Sequence, residues 1–385
     1  MPHIVMLLSN PFRPDPRVLK EAESLQATGY NVTILCWDRQ AAYPLEESLP
    51  SAVHVIRIQD IPSAYGIGTR QLLPLLKFWS ATFTILKSLK PDILHCHDFD
   101  TLPAGLFWGR LHRLPIIYDA HEYYADLVKP RLHGVFGMVL YQIIRTAELI
   151  GARLASGVIT VDDKLGAIYR KLNRNVLVVG HYPTLKSFHE AAPVFTQDEL
   201  SLIYVGRIST DRGLMIYLEI LRLLRHSGVP ARLLLAGAFT PSSEEDAFRN
   251  SIQGIEQFVD WKGWVDYDRI PGLLKTVDIG LVILKPEPRY VAALPVKLFE
   301  YMAAGLPVIA SDFPEIAKIV RGASCGALVD PDKSPDLIVE IIKGWWANPS
   351  IPRLLGNNGF QAAQQKFHWE NISGQIDGLY RTILH

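Results

Sequence analysis

The chain has 385 residues, 49% hydrophobic and 20% charged, enough for two ordinary domains with large cores. Lys and Arg balance Asp and Glu at 39 each, and the sequence pI is near 7.2, which argues against a dominant nucleic-acid role. Three scattered cysteines, Cys36, Cys96 and Cys325, exclude a disulfide framework and fit a reducing, cytoplasmic setting.

Residues 3–9 read as the first strand. The prolines of Asn10-Pro-Phe-Arg-Pro-Asp-Pro-Arg17 make a loop. Val18, Leu19, Ala22 and Leu25 then give a helical stripe. Residues 31–37 and 53–58 are the next strands. Asp15 and Arg17 are either a helix cap and a surface cation or ligands of a site. This Rossmann-like start lacks Gly-x-Gly-x-x-Gly, so a nicotinamide dehydrogenase is not expected. Residues 4–8 are too short for a signal-peptide core, and the run between Arg131 and Arg145 is too short for a membrane span. Residues 71–90 form a long helix with Leu72, Leu73, Leu76, Trp79, Phe83 and Leu86 apolar and three lysines. Such a helix either packs on a sheet or lies on a membrane surface; packing is the expectation, with peripheral membrane contact the alternative.

Two strands then end in polar groups. Residues 92–98 deliver His97 and Asp98; residues 115–118 lead into Asp119-Ala-His121-Glu122. Carboxyl ends of parallel strands are where open α/β sheets bind ligands. His95 and His97 alternate onto one face, as metal ligands might, but no further Cys or His has finger-like spacing, and no metal is expected. Residues 132–155 read as a helix, 157–161 as a strand, and Asp162 caps a helix running to 172. Residues 175–179 close the first domain.

Residues 181–200 are the best linker candidate, with Pro183 and Pro193 and few periodic apolars. A strand at 201–206 opens onto Gly206-Arg207-Ile-Ser-Thr-Asp-Arg212-Gly213 and a helix to 224. Two arginines beside a glycine-bounded helix start suit a diphosphate. Strands at 232–237 and 258–261 lead to Gly237 and to Gly263-Trp264-Val265. A strand at 278–284 precedes 285–293, which reads as a mobile loop. Pro295 can occupy the first position of a helix through Ala304, and residues 307–310 are a strand. That helix start suits a phosphate, and Glu300, about a turn on, suits a polyol such as ribose. From 328 onward the chain reads as helical. Ile372, Ile376, Leu379, Tyr380 and Ile383 form one stripe of a final helix opened by Trp369.

The segment Leu294-Pro-Val-Lys-Leu-Phe-Glu-Tyr-Met-Ala-Ala-Gly-Leu-Pro-Val-Ile-Ala-Ser-Asp312 resembles the donor site of family-four glycosyltransferases, and the 206–213 loop resembles their Gly-Arg-x-x-x-x-Lys-Gly loop, with Arg212 where Lys is usual. Many members carry a further Glu at the position of Ala292. The resemblance implies the α/β GT-B fold: two Rossmann-like domains with parallel sheets facing across a cleft. It implies an acceptor-side domain at 1–180, a nucleotide-sugar donor domain at 181–368, and a helix at 369–385 crossing back to the first domain. It implies a retaining, metal-independent transfer from a nucleoside-diphosphate sugar to an acceptor hydroxyl, in glycan or glycolipid biosynthesis, with no cofactor beyond that co-substrate. His121, Arg207, Arg212 and Glu300 would be catalytic. Gly206, Gly237, Gly263, Trp264, Val265, Val296, Lys297, Leu298 and Glu300 would hold the donor. Asp15, Arg17, His97, Asp98 and Glu122 would lie on the acceptor side. A GT-B epimerase using Glu122 and Asp98, or a silent nucleotide-sugar-binding subunit, are the alternatives.

Overall fold

The computed structural model describes residues 1–13, 15–64, 71–128, 134–188, 198–291 and 293–384. It divides into two compact units, Met1–His181 with Asn371–His385, and Tyr182–Glu370. Ala292 lies outside the described residues, as does most of the linker candidate's second half.

The first unit contains β1 (His3–Leu8), α1 (Pro16–Ala27), β2 (Asn31–Trp37), β3 (Glu46–Ser48), β4 (His54–Ile58), α2 (Leu72–Leu89) and β5 (Ile93–His97). It continues with α3 (Leu102–His112), β6 (Ile116–Ala120), α4 (Tyr124–Val128), α5 (Gly134–Leu154), β7 (Gly157–Thr160), α6 (Asp163–Tyr169) and β8 (Val176–Val178). The sheet order is β3-β4-β2-β1-β5-β6-β7-β8, and among the described residues only β3 runs antiparallel to its neighbour. The chain leaves β1 in one direction and β5 in the other. The switch point therefore falls between β1 and β5, where an open α/β sheet forms its ligand crevice.

The second unit contains β9 (Leu200–Val205), α7 (Leu214–His226), β10 (Ala231–Ala236), α8 (Glu244–Ser251), β11 (Val259–Trp261), α9 (Ile270–Leu274) and β12 (Ile279–Val282). There follow α10 (Pro288–Val291), α11 (Val296–Ala303), β13 (Val308–Ser311), α12 (Pro314–Ala323), β14 (Gly326–Val329), α13 (Asp336–Ala347) and α14 (Ser350–Gln365). Its sheet is parallel throughout, in the order β11-β10-β9-β12-β13-β14. Alternate residues feed two cores. Leu202, Tyr204, Leu233 and Leu235 pack on one face, while Ile203, Val205, Leu234 and Ala236 pack on the other. Burial on both faces explains strands that read as continuous apolar runs.

The last helix, α15 (Trp369–Leu384), begins in the second unit, where the Trp369 amide donates to the Pro183 carbonyl at 2.8 Å. From Asn371 it belongs to the first unit. Ile372, Ile376 and Tyr380 are buried there, and Leu379 and Ile383 approach Gly157.

Three readings need correction. Residues 285–293 are not simply a loop, because α10 is anchored by Tyr290 and Arg289, which both bond the Asp211 carboxylate. The chain after 328 is not immediately helical: Gly326–Val329 is the edge strand β14, parallel to β13. Pro295 is the N-cap of α11, in extended backbone, and the helix starts at Val296.

Candidate functional site

The expected site residues divide between the two units. In the first, the ends of β5 and β6 assemble a buried polar cluster. Asp119 Oδ2 lies 2.9 Å from His97 Nδ1 and 3.1 Å from His121 Nε2. The rings of His95 and His97 stack at 4.2 Å, those of His97 and His121 at 5.6 Å. His95 Nδ1 meets the Tyr380 hydroxyl at 2.6 Å, and its Nε2 lies 3.8 Å from Glu21 Oε2. Burial and the Asp119 charge hold Glu21 well above the usual carboxylate range. Burial also opposes charge on Asp119, but His121, His95 and His97 outweigh it and hold Asp119 well below that range. Burial likewise opposes charge on His121, yet Asp119 prevails and raises its pKa. Burial and the neighbouring His95 push His97 down to about 3. The cluster thus reads as protonated Glu21, ionised Asp119, an imidazolium at His121 and a neutral His97.

Donor atoms of Glu21, His95, His97 and Asp119 lie within 4.8 Å of one another, a grouping that could hold a metal. His121 Nδ1 is buried and has no hydrogen-bond partner among the described residues. Asp98 sits half-buried at φ +62° and is pushed up to about 7, first by burial. Glu122 is exposed. Asp15 caps α1, accepting from the Val18 amide, and lies 3.5 Å from the Arg17 guanidinium. Both residues line a cavity of about 540 Å³ with Asn10, Arg13, Asp38 and Arg39.

In the second unit the loops after β9, β10 and β11 and the start of α11 meet at the sheet's carboxyl edge. Gly206 has φ +117°, and a Cβ there would stand 3.3 Å from Lys297 Nζ. Gly237 has φ +155°, and its Cβ would strike the Gly206 carbonyl oxygen. The Gly237 amide donates to the Gly263 carbonyl at 2.7 Å, tying the third turn to the other two. Lys297 is buried, its Nζ 3.5 Å from the Tyr204 ring centroid and without a hydrogen-bond partner among the described residues. Burial and then the Arg212 charge push its pKa well below the lysine range. Arg212 stands over the Tyr290 ring at 5.3 Å, and its buried Nε has no partner either. Arg207, in the same loop as Arg212, is exposed. Glu300 is buried, and burial followed by Glu300 raises the Tyr267 phenol that bonds it. The Leu298 amide is taken by the Pro295 carbonyl at 3.0 Å, so the first-turn amides left for a phosphate are those of Val296 and Lys297. Val265 packs partly into the core, whereas Trp264 is 66% exposed.

Sequence reasoning singled out neither Asp119 nor Glu21, though both sit at the centre of the first cluster. A signal existed for Glu21: it falls between Val18 and Leu25 on the apolar stripe of α1, and that face is buried. Tyr204, Tyr290 and Tyr267 were also unmarked: a buried Tyr204 or Tyr290 beside a cation looks in sequence like any core aromatic, and the exposed Tyr267 like any surface one.

The family model for glycosyltransferases group 1 matches residues 199–348, and that for Glycosyltransferase Family 4 matches residues 17–179, together most of the chain. The chain belongs to glycosyltransferase family 4. An uncharacterized glycosyltransferase of Methanocaldococcus jannaschii is 24% identical over 94% of this chain and 92% of its own length. The GDP-mannose-dependent alpha-(1-6)-phosphatidylinositol dimannoside mannosyltransferase of Mycobacterium tuberculosis is 27% identical over 75% of this chain and 73% of its own. Among solved structures, sucrose-phosphate synthase of Thermosynechococcus elongatus superposes with a TM-score of 0.78 at 20% identity, covering 100% of this chain and 99% of that one. HepE of Anabaena, solved with UDP-glucose, gives 0.71 at 17% identity, covering 98% and 99%. These likenesses show the GT-B fold, and the protein is a glycosyltransferase.

Proposed function

We propose that this family-four enzyme transfers a sugar from a nucleoside-diphosphate sugar to an acceptor hydroxyl, with retention of configuration and without a resident metal, in glycan or glycolipid synthesis. The observation that carries the reading is buried Lys297, beside Gly206, with half-buried Arg212 near it, Lys297 Nζ and Arg212 Nε both lacking hydrogen-bond partners among the described residues. Burying such charge costs several kcal/mol unless an anion meets it, and a diphosphate has the charge to do so. HepE, solved in complex with UDP and with UDP-glucose, and the GDP-mannose-dependent mannosyltransferase support such a donor here.

In this mechanism Lys297, Arg212 and Arg207 stabilise the charge that develops on the departing diphosphate. The amides of Val296 and Lys297 and the helix start add to it. Glu300 accepts from ribose hydroxyls, held in place by Tyr267. The diphosphate oxygen takes the acceptor's proton, so no side-chain base is required. His121, charged by its pairing with Asp119, offers Nδ1–H to a sugar hydroxyl. Asp15, Arg17 and the cavity they line take part of the acceptor.

Thermal-shift titration with UDP, GDP and their sugars, in chelator, tests the reading. At least one should stabilise the protein, by about 2.7 kcal/mol at a hundred times its Kd, because the folded state alone binds it. Absence of any shift, or an equal shift in Lys297→Met, overturns it.

A further inference from the structure

The crossovers β4–α2–β5, β5–α3–β6 and β6–α5–β7 all run the same way along the first sheet, so right-handedness places α2, α3 and α5 on one face. Phe83 of α2 lies 5.5 Å from Phe107 of α3, and Leu102 and Leu106 of α3 abut Gly151 of α5, so the three helices are continuous. α2 buries Phe78 and Leu86 but not the beginning of its apolar stripe. Leu73, Phe107, Leu111, Met138 and Val139 are each more than half exposed, and Leu76 nearly so.

The exposed charges on these three helices have one sign, although Asp126 of the neighbouring α4 accepts from the Tyr141 hydroxyl of α5. Lys77, Lys87, Arg110, Arg145 and Arg153 are exposed, and none forms an ion pair among the described residues. The sole carboxylate on the three helices, Glu148, is fully buried, where it accepts from the Tyr118 and Tyr169 hydroxyls. A chain with 39 cations and 39 anions does not produce such a face by composition.

We propose that this face docks on an anionic lipid bilayer. Leucine, phenylalanine and methionine side chains enter the acyl boundary while lysine and arginine stems reach the headgroups. A second copy of the chain fits less well, since it would set like charges against each other. α2 and α5 both start at the carboxyl edge of the sheet, the edge that holds His121, so docking brings the acceptor side of the enzyme to the membrane surface and favours a lipid-linked acceptor. The inference does not depend on the donor reading.

Sedimentation of the full chain with vesicles tests it. At 0.1 M NaCl, binding to phosphatidylcholine/phosphatidylglycerol vesicles should exceed binding to phosphatidylcholine alone by at least tenfold, and 1 M NaCl should remove the excess. Each basic residue near an anionic surface contributes about fivefold, so Lys77→Glu with Arg110→Glu should lower binding by more than tenfold. Leu73→Ser with Leu76→Ser should lower it without changing the thermal transition or the nucleotide-induced shift, which keeps this test apart from that of the donor site. Equal binding to both vesicles, no binding to either, or unchanged binding by the variants overturns the proposal. So does a concentration-dependent dimer that the same substitutions dissociate, which would assign the face to a second copy.

Discussion

Asp119 Oδ2 stands 3.1 Å from His121 Nε2, with both side chains buried. The pair fixes which nitrogen of His121 points away from the cluster and keeps the ring charged. Because His121 holds its proton more tightly when folded, this charge contributes stability that is full below the unfolded value near about 6.5. The contribution is lost as pH rises through the raised folded value. Asp119→Asn should cost about 3–5 kcal/mol by leaving a buried partner unmatched. In the protein that still folds, the alkaline decline of kcat should move to lower pH. A pH–rate profile identical to wild type would show that Asp119 does not set the charge of His121.

Lys297 works against the ligand-free fold. Its folded pKa is depressed, so the unfolded chain binds more protons and stability rises with pH toward the free-lysine value. Lys297→Met should therefore stabilise the ligand-free protein and flatten that dependence. The same change should weaken nucleoside-diphosphate binding by about ten- to a hundredfold, from the roughly 1.5–3 kcal/mol of a charged hydrogen bond. Urea unfolding at several pH values, with and without UDP or GDP, measures both effects.

Glu300→Ala should raise the donor KM by about tenfold or more on the same scale, without unfolding the protein. Tyr267→Phe should have a smaller effect in the same direction, since it removes only the group that orients Glu300. Wild-type kinetics in a folded Glu300→Ala protein would remove Glu300 from the site.

Much of this arrangement was readable because buried parallel strands are continuous apolar runs. The 31–37 run matches β2 at both ends. Arg212 and Lys297 were legible because cations next to glycine and proline turns stand out in an apolar context. The failures share another cause. β3 is Glu46-Glu47-Ser48, too short and polar to show alternation, and it exists only by pairing with β4. β14, Gly326-Ala-Leu-Val329, has no periodicity to tell it from a helix start. α10 was hidden by Pro286 and Pro288, although Pro288 opens the helix. Asp119 was passed over because a strand-end aspartate is ordinary, and only the three imidazoles gathered round it make it central.

Donor use should proceed in the presence of chelator, because Lys297, Arg212 and the α11 start supply the positive charge near the diphosphate. Loss of activity in chelator that magnesium or manganese restores would contradict this.

The final helix offers two substitutions of opposite sign two residues apart. The Tyr380 hydroxyl is the partner of buried His95 Nδ1 at 2.6 Å. Tyr380→Phe should cost about 1–3 kcal/mol by leaving that nitrogen unsatisfied. Gly378 faces outward on the same helix, and a Cβ there meets nothing within 4 Å. Gly378→Ala should then stabilise the helix by about 0.4–1 kcal/mol, through a restricted unfolded chain and better helix propensity. Two units need not unfold together, so a single midpoint is not the right readout. Hydrogen exchange of the β5 and β6 amides, which lie under Tyr380, reports on the first unit. Exchange there should quicken in Tyr380→Phe and slow in Gly378→Ala. No change in either variant would mean that the helix is not what holds this part of the sheet closed.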